Sequence, residues 1–144
     1  RWLRFLGFDS EYGGVEDSDD QLVARAASEG RWLVTRDRRL ASRGPRTVLI
    51  RSSGLEDQLV EVMIRRDLAP EASLARARCG VCNGSLDEVD RGEIADAVPP
   101  YVLATAGRFR RCRRCGRIFW PGTHGPRIED VLERVVRRAK ENRL

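Results

Sequence analysis

Apolar residues in the first half of the chain occur in two different spacings. In three segments they recur every three or four residues, as on one face of an α-helix. Between these segments lie short runs that are apolar throughout, or that alternate with polar residues, as in β-strands. Helices that alternate with unbroken apolar strands predict an α/β layer with a parallel sheet. The predicted helices cover 2–6, 18–29 and 55–63, and the predicted strands cover 8–12, 31–35 and 47–50.

The second half of the chain has a different pattern. Short segments at 108–110 and 117–120 flank a cysteine-rich turn and are typical of the strands of a small ribbon. An apolar stripe with helical spacing then runs from Ile128 to Val136. We therefore predict three parts, namely an α/β domain over 1–70, a small ribbon over 71–126 and a C-terminal helix over 127–144.

Four cysteines form two pairs with the same spacing, Cys79 with Cys82 and Cys112 with Cys115. Two residues between the members of a pair allow one tight turn to direct both sulfurs to the same point. Two such turns complete the tetrahedral four-thiolate shell of a structural zinc ion. The alternative is two disulfides or free thiols, but we see no signal peptide that would direct the chain to an oxidising compartment. We expect a cytoplasmic protein with structural zinc.

Positive charge is concentrated in the ribbon half of the chain. The formal net charge is +5, and arginines cluster around the second cysteine pair. A basic surface favours a polyanion such as nucleic acid, although it can also be inert. No apolar run approaches the roughly 20 residues of a membrane span, so we expect no membrane partner. The residues assigned to nucleic-acid binding are Arg36, Arg110, Arg111, Arg113, Arg114 and His124.

Three aspartates are the candidates for catalysis. Asp37 follows the predicted strand 31–35, and ligands of open α/β sheets gather at the carboxyl ends of the strands. Asp19 and Asp20 lie at the predicted start of a helix. If that helix covers the same sheet edge, the carboxylates converge on a magnesium or manganese ion that activates water. The alternative is that Asp37 forms a turn and that the other two aspartates cap the helix.

His124 is the single histidine of the chain. Turn-forming residues on both sides place it in a loop, where it can contact a phosphate, carry a proton or pack on the ribbon. The zinc shell does not require it, because four thiolates fill all four positions.

In their order and spacing, these segments resemble the Mut-seven C-terminal RNase family, a PIN-like nuclease fold with an appended zinc ribbon. The resemblance implies a metal-dependent ribonuclease whose clustered acids include Asp37 and Asp19, with Asp20 as the alternative to Asp19. Members of the family begin with a strand that carries another acid, and the sequence shows no such strand before Trp2. The matching segments are 1–9, 19–22, 30–37, 58–59, 78–84, 98–99, 112–116 and 119–124.

The resemblance favours a metal-dependent endoribonuclease whose ribbon grips RNA, with tRNA, rRNA or the ribosome as candidate partners. A non-catalytic RNA- or ribosome-binding module is the alternative, because a basic ribbon with an incomplete acid cluster also suits binding alone. A third class is an adaptor whose final helix docks on another protein. An upstream strand that ends in an aspartate would favour the enzyme.

Overall fold

The computed structural model describes residues 1–14, 16–69, 73–122 and 125–142. Within these ranges the chain forms six α-helices, five β-strands and two single 3-10 turns, at Leu74–Arg76 and Arg91–Glu93. The helices are α1 (Trp2–Phe5), α2 (Asp19–Ser28), α3 (Arg38–Ala41), α4 (Leu55–Arg65), α5 (Pro100–Thr105) and α6 (Gly125–Glu141). The strands are β1 (Leu33–Thr35), β2 (Thr47–Leu49), β3 (Leu86–Val89), β4 (Phe109–Cys112) and β5 (Ile118–Phe119).

The chain divides into two compact units. We call them the ribbon unit, made of Arg1–Ser10 and Pro70–Arg134, and the α/β unit, made of Glu11–Ala69 and Val135–Leu144. The predicted boundary near residue 70 coincides with one of these divisions, but residues 1–10 cluster with the ribbon, and α6 contributes to both units. The three-part division expected from the sequence therefore stays a prediction.

The α/β unit contains the predicted parallel sheet. Strands β1 and β2 pair in parallel, with Val34 opposite Val48 at the centre of the register. Leu40 from α3 and Met63 from α4 are buried in the core of this unit, as is Val135 from α6. The prediction of an α/β layer is confirmed, because helices supply most of the apolar side chains that the short sheet cannot provide alone.

Helix α2 begins where the sequence predicts. The Ser18 hydroxyl accepts a hydrogen bond from the Gln21 backbone N–H at 3.3 Å, and the Gln21 side chain accepts one from the Ser18 N–H at 2.7 Å. This reciprocal pair satisfies two backbone donors that the first helical turn leaves without partners. Asp19 and Asp20 therefore occupy the first turn of the helix rather than its cap.

Glu61 of α4 ties the segment after β2 to the helix. Its carboxylate accepts hydrogen bonds from the backbone N–H groups of Arg51 and Ser52, from the Ser52 hydroxyl and from Arg65 Nε. Burial would raise the pKa of Glu61, but the bonds from Ser52, Arg51 and Arg65 outweigh it and lower the pKa from 4.5 to about 2. The carboxylate thus stays charged in its half-buried position.

The ribbon unit is built on an antiparallel sheet in the order β3-β4-β5. Ile94, Val98, Ala106 and Phe109 form its buried apolar cluster. The two predicted strands are present as β4 and β5, whereas β3 and the short helix α5 were not predicted. A cluster of four residues buries little apolar surface, so a cross-link between the turns of the sheet would add to the stability of this unit.

The predicted strand over 8–12 is wrong, because the structure has no strand there. The Phe8 N–H bonds to the Leu3 carbonyl at 2.9 Å, and the Ser10 N–H bonds to the Asn83 side chain at 3.2 Å. Backbone donors at these positions are therefore taken by a turn and by the ribbon rather than by a neighbouring strand.

The C-terminal helix is confirmed, and α6 is 17 residues long. Leu132, Val135, Val136 and Ala139 are buried along one face, as expected for an amphipathic helix. In the part of the chain that the structure describes, no helix combines the length and the apolar character needed to cross a bilayer.

We predict that Glu61→Gln lowers the free energy of unfolding at pH 7 and makes stability less dependent on acid pH. A depressed carboxyl pKa stabilises the fold above the unfolded value near 4.5, and this contribution is lost as the pH falls toward about 2. Urea unfolding at several pH values measures the effect. The difference between wild type and Glu61→Gln should shrink across this window, while the exposed control Glu16→Gln should change stability little. A constant difference between pH 7 and pH 2 would contradict the assignment.

Candidate functional site

The first cysteine pair lies in a tight turn before β3. The Asn83 N–H bonds to the Cys79 carbonyl at 2.9 Å, and the Cys79 N–H bonds to the Gly84 carbonyl at 2.8 Å. Asn83 has a φ of 66°, a conformation that asparagine tolerates better than most residues. A Cβ atom on Gly84 would lie 2.8 Å from Cys112 Sγ, so only glycine fits where the two turns meet.

The second pair lies in the turn between β4 and β5. The Gly116 N–H bonds to the Cys112 carbonyl at 2.9 Å, and Gly116 has a φ of 70° that glycine adopts without strain. The Cys112 N–H in turn bonds to the Arg117 carbonyl at 2.9 Å. The hairpin thus carries Cys112 and Cys115 on one rigid turn.

The four sulfurs meet at one point. Cys79 Sγ lies 3.7 Å from Cys115 Sγ, Cys82 Sγ lies 3.4 Å from Cys112 Sγ, and all four lie within 4.8 Å of one another. A regular tetrahedron with zinc–sulfur bonds of about 2.3 Å has sulfur–sulfur separations of about 3.8 Å. A disulfide would require about 2.05 Å. The cluster therefore fits one structural metal ion, and four thiolates are a donor set that zinc favours.

Backbone donors favour the thiolate at Cys112, whereas at Cys82 other effects outweigh them. Burial would raise the pKa of the Cys112 thiol, but the backbone N–H groups of Cys115 and Arg114 favour the thiolate and lower its pKa to about 7. At Cys82 the Gly84 N–H acts in the same direction, but burial and the three neighbouring thiols raise the pKa to about 11. Since the sulfurs share protons in this way, metal binding releases protons and depends on pH.

Residues 1–10 clamp the first cysteine turn. Arg4 donates from its guanidinium to the carbonyls of Gly80 and Val81, at 3.0 Å each, and to the Ser10 carbonyl at 2.8 Å. The buried Asn83 side chain donates to Asp9 at 2.6 Å. Sequence reasoning missed these contacts, because Arg4 and Asp9 are distant from the cysteines in the sequence, and Asn83, which directly follows Cys82, gives no signal of so distant a partner.

The arginines assigned to nucleic-acid binding divide into two groups. Arg110 donates to the carbonyls of Leu74 and Leu86, both at 2.9 Å, and Arg111 donates to the Glu93 carbonyl at 3.2 Å. These two side chains are half-buried and cross-link the ribbon unit.

The other group is exposed. Arg113 pairs with Asp87 at 2.5 Å, and Arg114 donates to the Cys82 carbonyl at 3.2 Å, with both side chains largely in solvent. Arg36 is also exposed, beside Asp37 in the α/β unit. His124 lies outside the described residues. Arg36, Arg113 and Arg114 are thus the assigned arginines whose charge faces solvent.

Asp37 lies two residues beyond β1 and caps helix α3. Its Oδ1 atom accepts hydrogen bonds from the backbone N–H groups of Arg39 at 2.7 Å and Leu40 at 3.2 Å. The side chain is exposed, and Oδ2 takes part in neither bond. Oδ1 therefore caps the helix, whereas Oδ2 does not take part in capping.

Asp19 and Asp20 share one arginine. Arg43, which follows α3, lies 3.4 Å from Asp19 Oδ2 and also forms an ion pair with Asp20. Among the described residues, the four cysteines are the one group of three or more potential ligand side chains close enough to hold a single ion. The structure thus brings Asp19 and Asp20 together through Arg43 but does not gather them with Asp37, and their catalytic role stays a prediction.

A family model described as Mut7-C RNAse domain matches residues 1–132. The match includes the three aspartates and all four cysteines, so the resemblance seen in the sequence is confirmed. No curated protein and no solved structure matches the chain significantly. The family supports a nuclease or RNA-related role, with RNA as the partner.

We predict one zinc ion per chain, and we expect Cys79→Ser and Cys112→Ser to lose both the ion and the ribbon fold. Structural zinc contributes about 10–16 kcal/mol in small modules, which is comparable to or larger than the roughly 5–15 kcal/mol stability of a whole domain. Elemental analysis and circular dichroism of the purified protein measure both effects, and Ser85→Ala is a neighbouring control that should keep the metal. A folded ribbon with a metal content near zero would contradict this prediction.

Proposed function

The chain belongs to the Mut7-C RNAse domain family, and we propose that it is a metal-dependent endoribonuclease of PIN-like type. The observation that carries the proposal is the position of Asp37. It follows a strand of a parallel sheet inside the matched region, at the strand end where open α/β sheets bind their ligands. A zinc ion held by all four thiolates would have no open position for a substrate, so we place the chemistry in the α/β unit.

The two oxygens of Asp37 support separate roles. Oδ1 holds the N-terminus of α3 and thereby orients the carboxylate, which leaves Oδ2 as the candidate ligand. Asp19 and Asp20 would complete the site after exchanging part of their contact with Arg43 for a cation. A bound magnesium or manganese ion would supply a water nucleophile and neutralise charge on the scissile phosphate.

The exposed arginines would hold the RNA. Arg114 presents its guanidinium group to solvent from the second cysteine turn, where it can pair with a phosphate. Arg113 is also largely in solvent and would exchange its ion pair with Asp87 for a phosphate. Arg36 and His124 are further candidates for contact with the RNA backbone. Cytoplasmic tRNA, rRNA and the ribosome are the candidate sources of that RNA.

A non-catalytic RNA-binding module is the second candidate. It is favoured by the present roles of the three aspartates, one of which caps a helix while the other two pair with Arg43. Under this alternative the basic ribbon binds RNA and no metal site forms at the acids.

We predict that Asp37→Asn abolishes RNA cleavage by the intact protein without destabilising it. Asparagine caps a helix as well as aspartate does, because its Oδ1 accepts the same bonds, but an amide nitrogen replaces the candidate ligand oxygen. Asp37→Ala should lose cleavage and also about 1 kcal/mol of stability. Cleavage of a structured RNA with added magnesium or manganese, together with thermal unfolding, separates the two effects.

The control for this experiment is Asp130→Asn, which removes an exposed carboxylate from α6 and should cleave like the wild type. If Asp37→Asn cleaves as fast as the wild type, Asp37 is not a metal ligand. If neither the wild type nor any of the variants cleaves RNA but all of them bind it, the non-catalytic RNA-binding module is favoured.

We further predict that replacing Arg113 and Arg114 together by glutamine weakens RNA binding and flattens its salt dependence. Each lost phosphate contact reduces the log–log slope by about 0.7 for single strands or 0.9 for duplexes. Titrations between low and moderate salt measure the slope. Replacing Arg137 and Lys140 by glutamine removes the same charge from α6 and should change the slope less. Equal effects of the two double variants would show that only net charge matters.

A further inference from the structure

The ribbon unit contains an open groove of about 880 Å³, apart from the cysteine cluster. Phe5 of α1, Val102 of α5 and Ile128 of α6 contribute to its mainly apolar walls. Its volume lies in the range of about 300–1,000 Å³ that is typical of pockets for small organic groups. No step of the proposed phosphodiester chemistry uses this groove.

Two aromatic side chains stand at the groove with much of their surface in solvent. Tyr101 is 76% exposed, and Trp120 is 38% exposed. The Trp120 ring packs against the buried Phe109 ring, with a centroid distance of 6.4 Å. This contact restricts the orientation of the Trp120 ring. Exposed aromatic rings beside an apolar depression mark a binding surface rather than a core.

The charge around the groove is positive. Its lining includes four arginines and two glutamates, and the Arg108 side chain is exposed beside the apolar walls. Arg110 is held by the Leu74 and Leu86 carbonyls, which fixes its charge at the groove. An uncharged apolar peptide would gain nothing from these cations, whereas a polyanion with flat apolar groups matches both features.

We infer that this groove binds unpaired bases of RNA, which stack on Tyr101 and Trp120 while a neighbouring phosphate pairs with Arg108. The inference rests on the proposed action on RNA and specifies that part of the substrate is single-stranded. Stacking tolerates any base, because every base has a flat face, so this contact selects unpaired regions rather than a sequence. This groove is separate from the exposed pair Arg113 and Arg114, which would contact only phosphates.

The test measures binding of a short single-stranded oligoadenylate and of a duplex RNA of equal length, without added divalent cation. Tyr101→Leu keeps apolar bulk in a helix but removes the ring, so single-strand affinity should fall about five-fold or more. Tyr101→Phe keeps the ring and should bind like the wild type. Tyr12→Leu is the matched control, because Tyr12 is the other tyrosine of the chain and is 82% exposed in the α/β unit.

A second measurement reports stacking directly. In a protein carrying Trp2→Phe and Trp32→Phe, Trp120 is the remaining tryptophan, and its fluorescence should be quenched by oligoadenylate. Quenching that saturates with the binding curve supports the inference. Binding without quenching overturns it.

The outcomes separate this inference from the proposed nuclease. If Tyr101→Leu binds oligoadenylate as tightly as the wild type while RNA is still cleaved, the groove inference fails and the nuclease stands. If the wild type neither binds nor cleaves RNA, both fail. If Tyr101→Leu abolishes self-association in sedimentation but leaves RNA affinity unchanged, the groove is an interface between copies of the chain.

Discussion

The convergence of four thiols on one point is the constraint on which the ribbon unit depends. Its strands are two to four residues long, and the apolar cluster of Ile94, Val98, Ala106 and Phe109 is small. Strands this short bury little apolar surface, so cross-links between them help to hold their register. The cysteine turns join β4 and β5 to the segment before β3, and Arg4 attaches residues 1–10 to the first turn. The cysteine cluster thus joins segments that are distant from one another in sequence.

The fold could be predicted where one strong pattern decides it. Paired cysteine spacing located the centre, and helical and strand periodicities located the parallel sheet and α6. Prediction failed where distant partners decide the outcome. Residues 8–12 alternate like a strand, but Asn83 and a local turn take their backbone donors. Strand β3 was missed because Asp87 and Glu88 interrupt its apolar pattern, while pairing with β4 makes it a strand.

For the candidate catalytic site, the sequence names residues but does not reveal their contacts. The sequence shows that Asp37 follows a strand. It does not show that α3 uses only one of the two carboxylate oxygens. The arginines around the second cysteine pair look equivalent in sequence. The structure separates Arg110 and Arg111, which cross-link the ribbon, from Arg113 and Arg114, which face solvent. The direction in which each side chain leaves the backbone separates the two groups, and the number of arginines in the sequence does not reveal that direction.

The split use of the Asp37 carboxylate has an evolutionary consequence. Aspartate and asparagine codons differ by a single base, and the exchange at this position keeps the acceptor that α3 requires. A lineage can therefore lose the candidate metal ligand in one mutational step without passing through a misfolded intermediate. Nucleases and pure RNA binders built on this scaffold are then immediate neighbours in sequence space. Under the proposed function, distinguishing them in a genome would begin with the candidate ligands Asp37, Asp19 and Asp20 rather than with the whole domain.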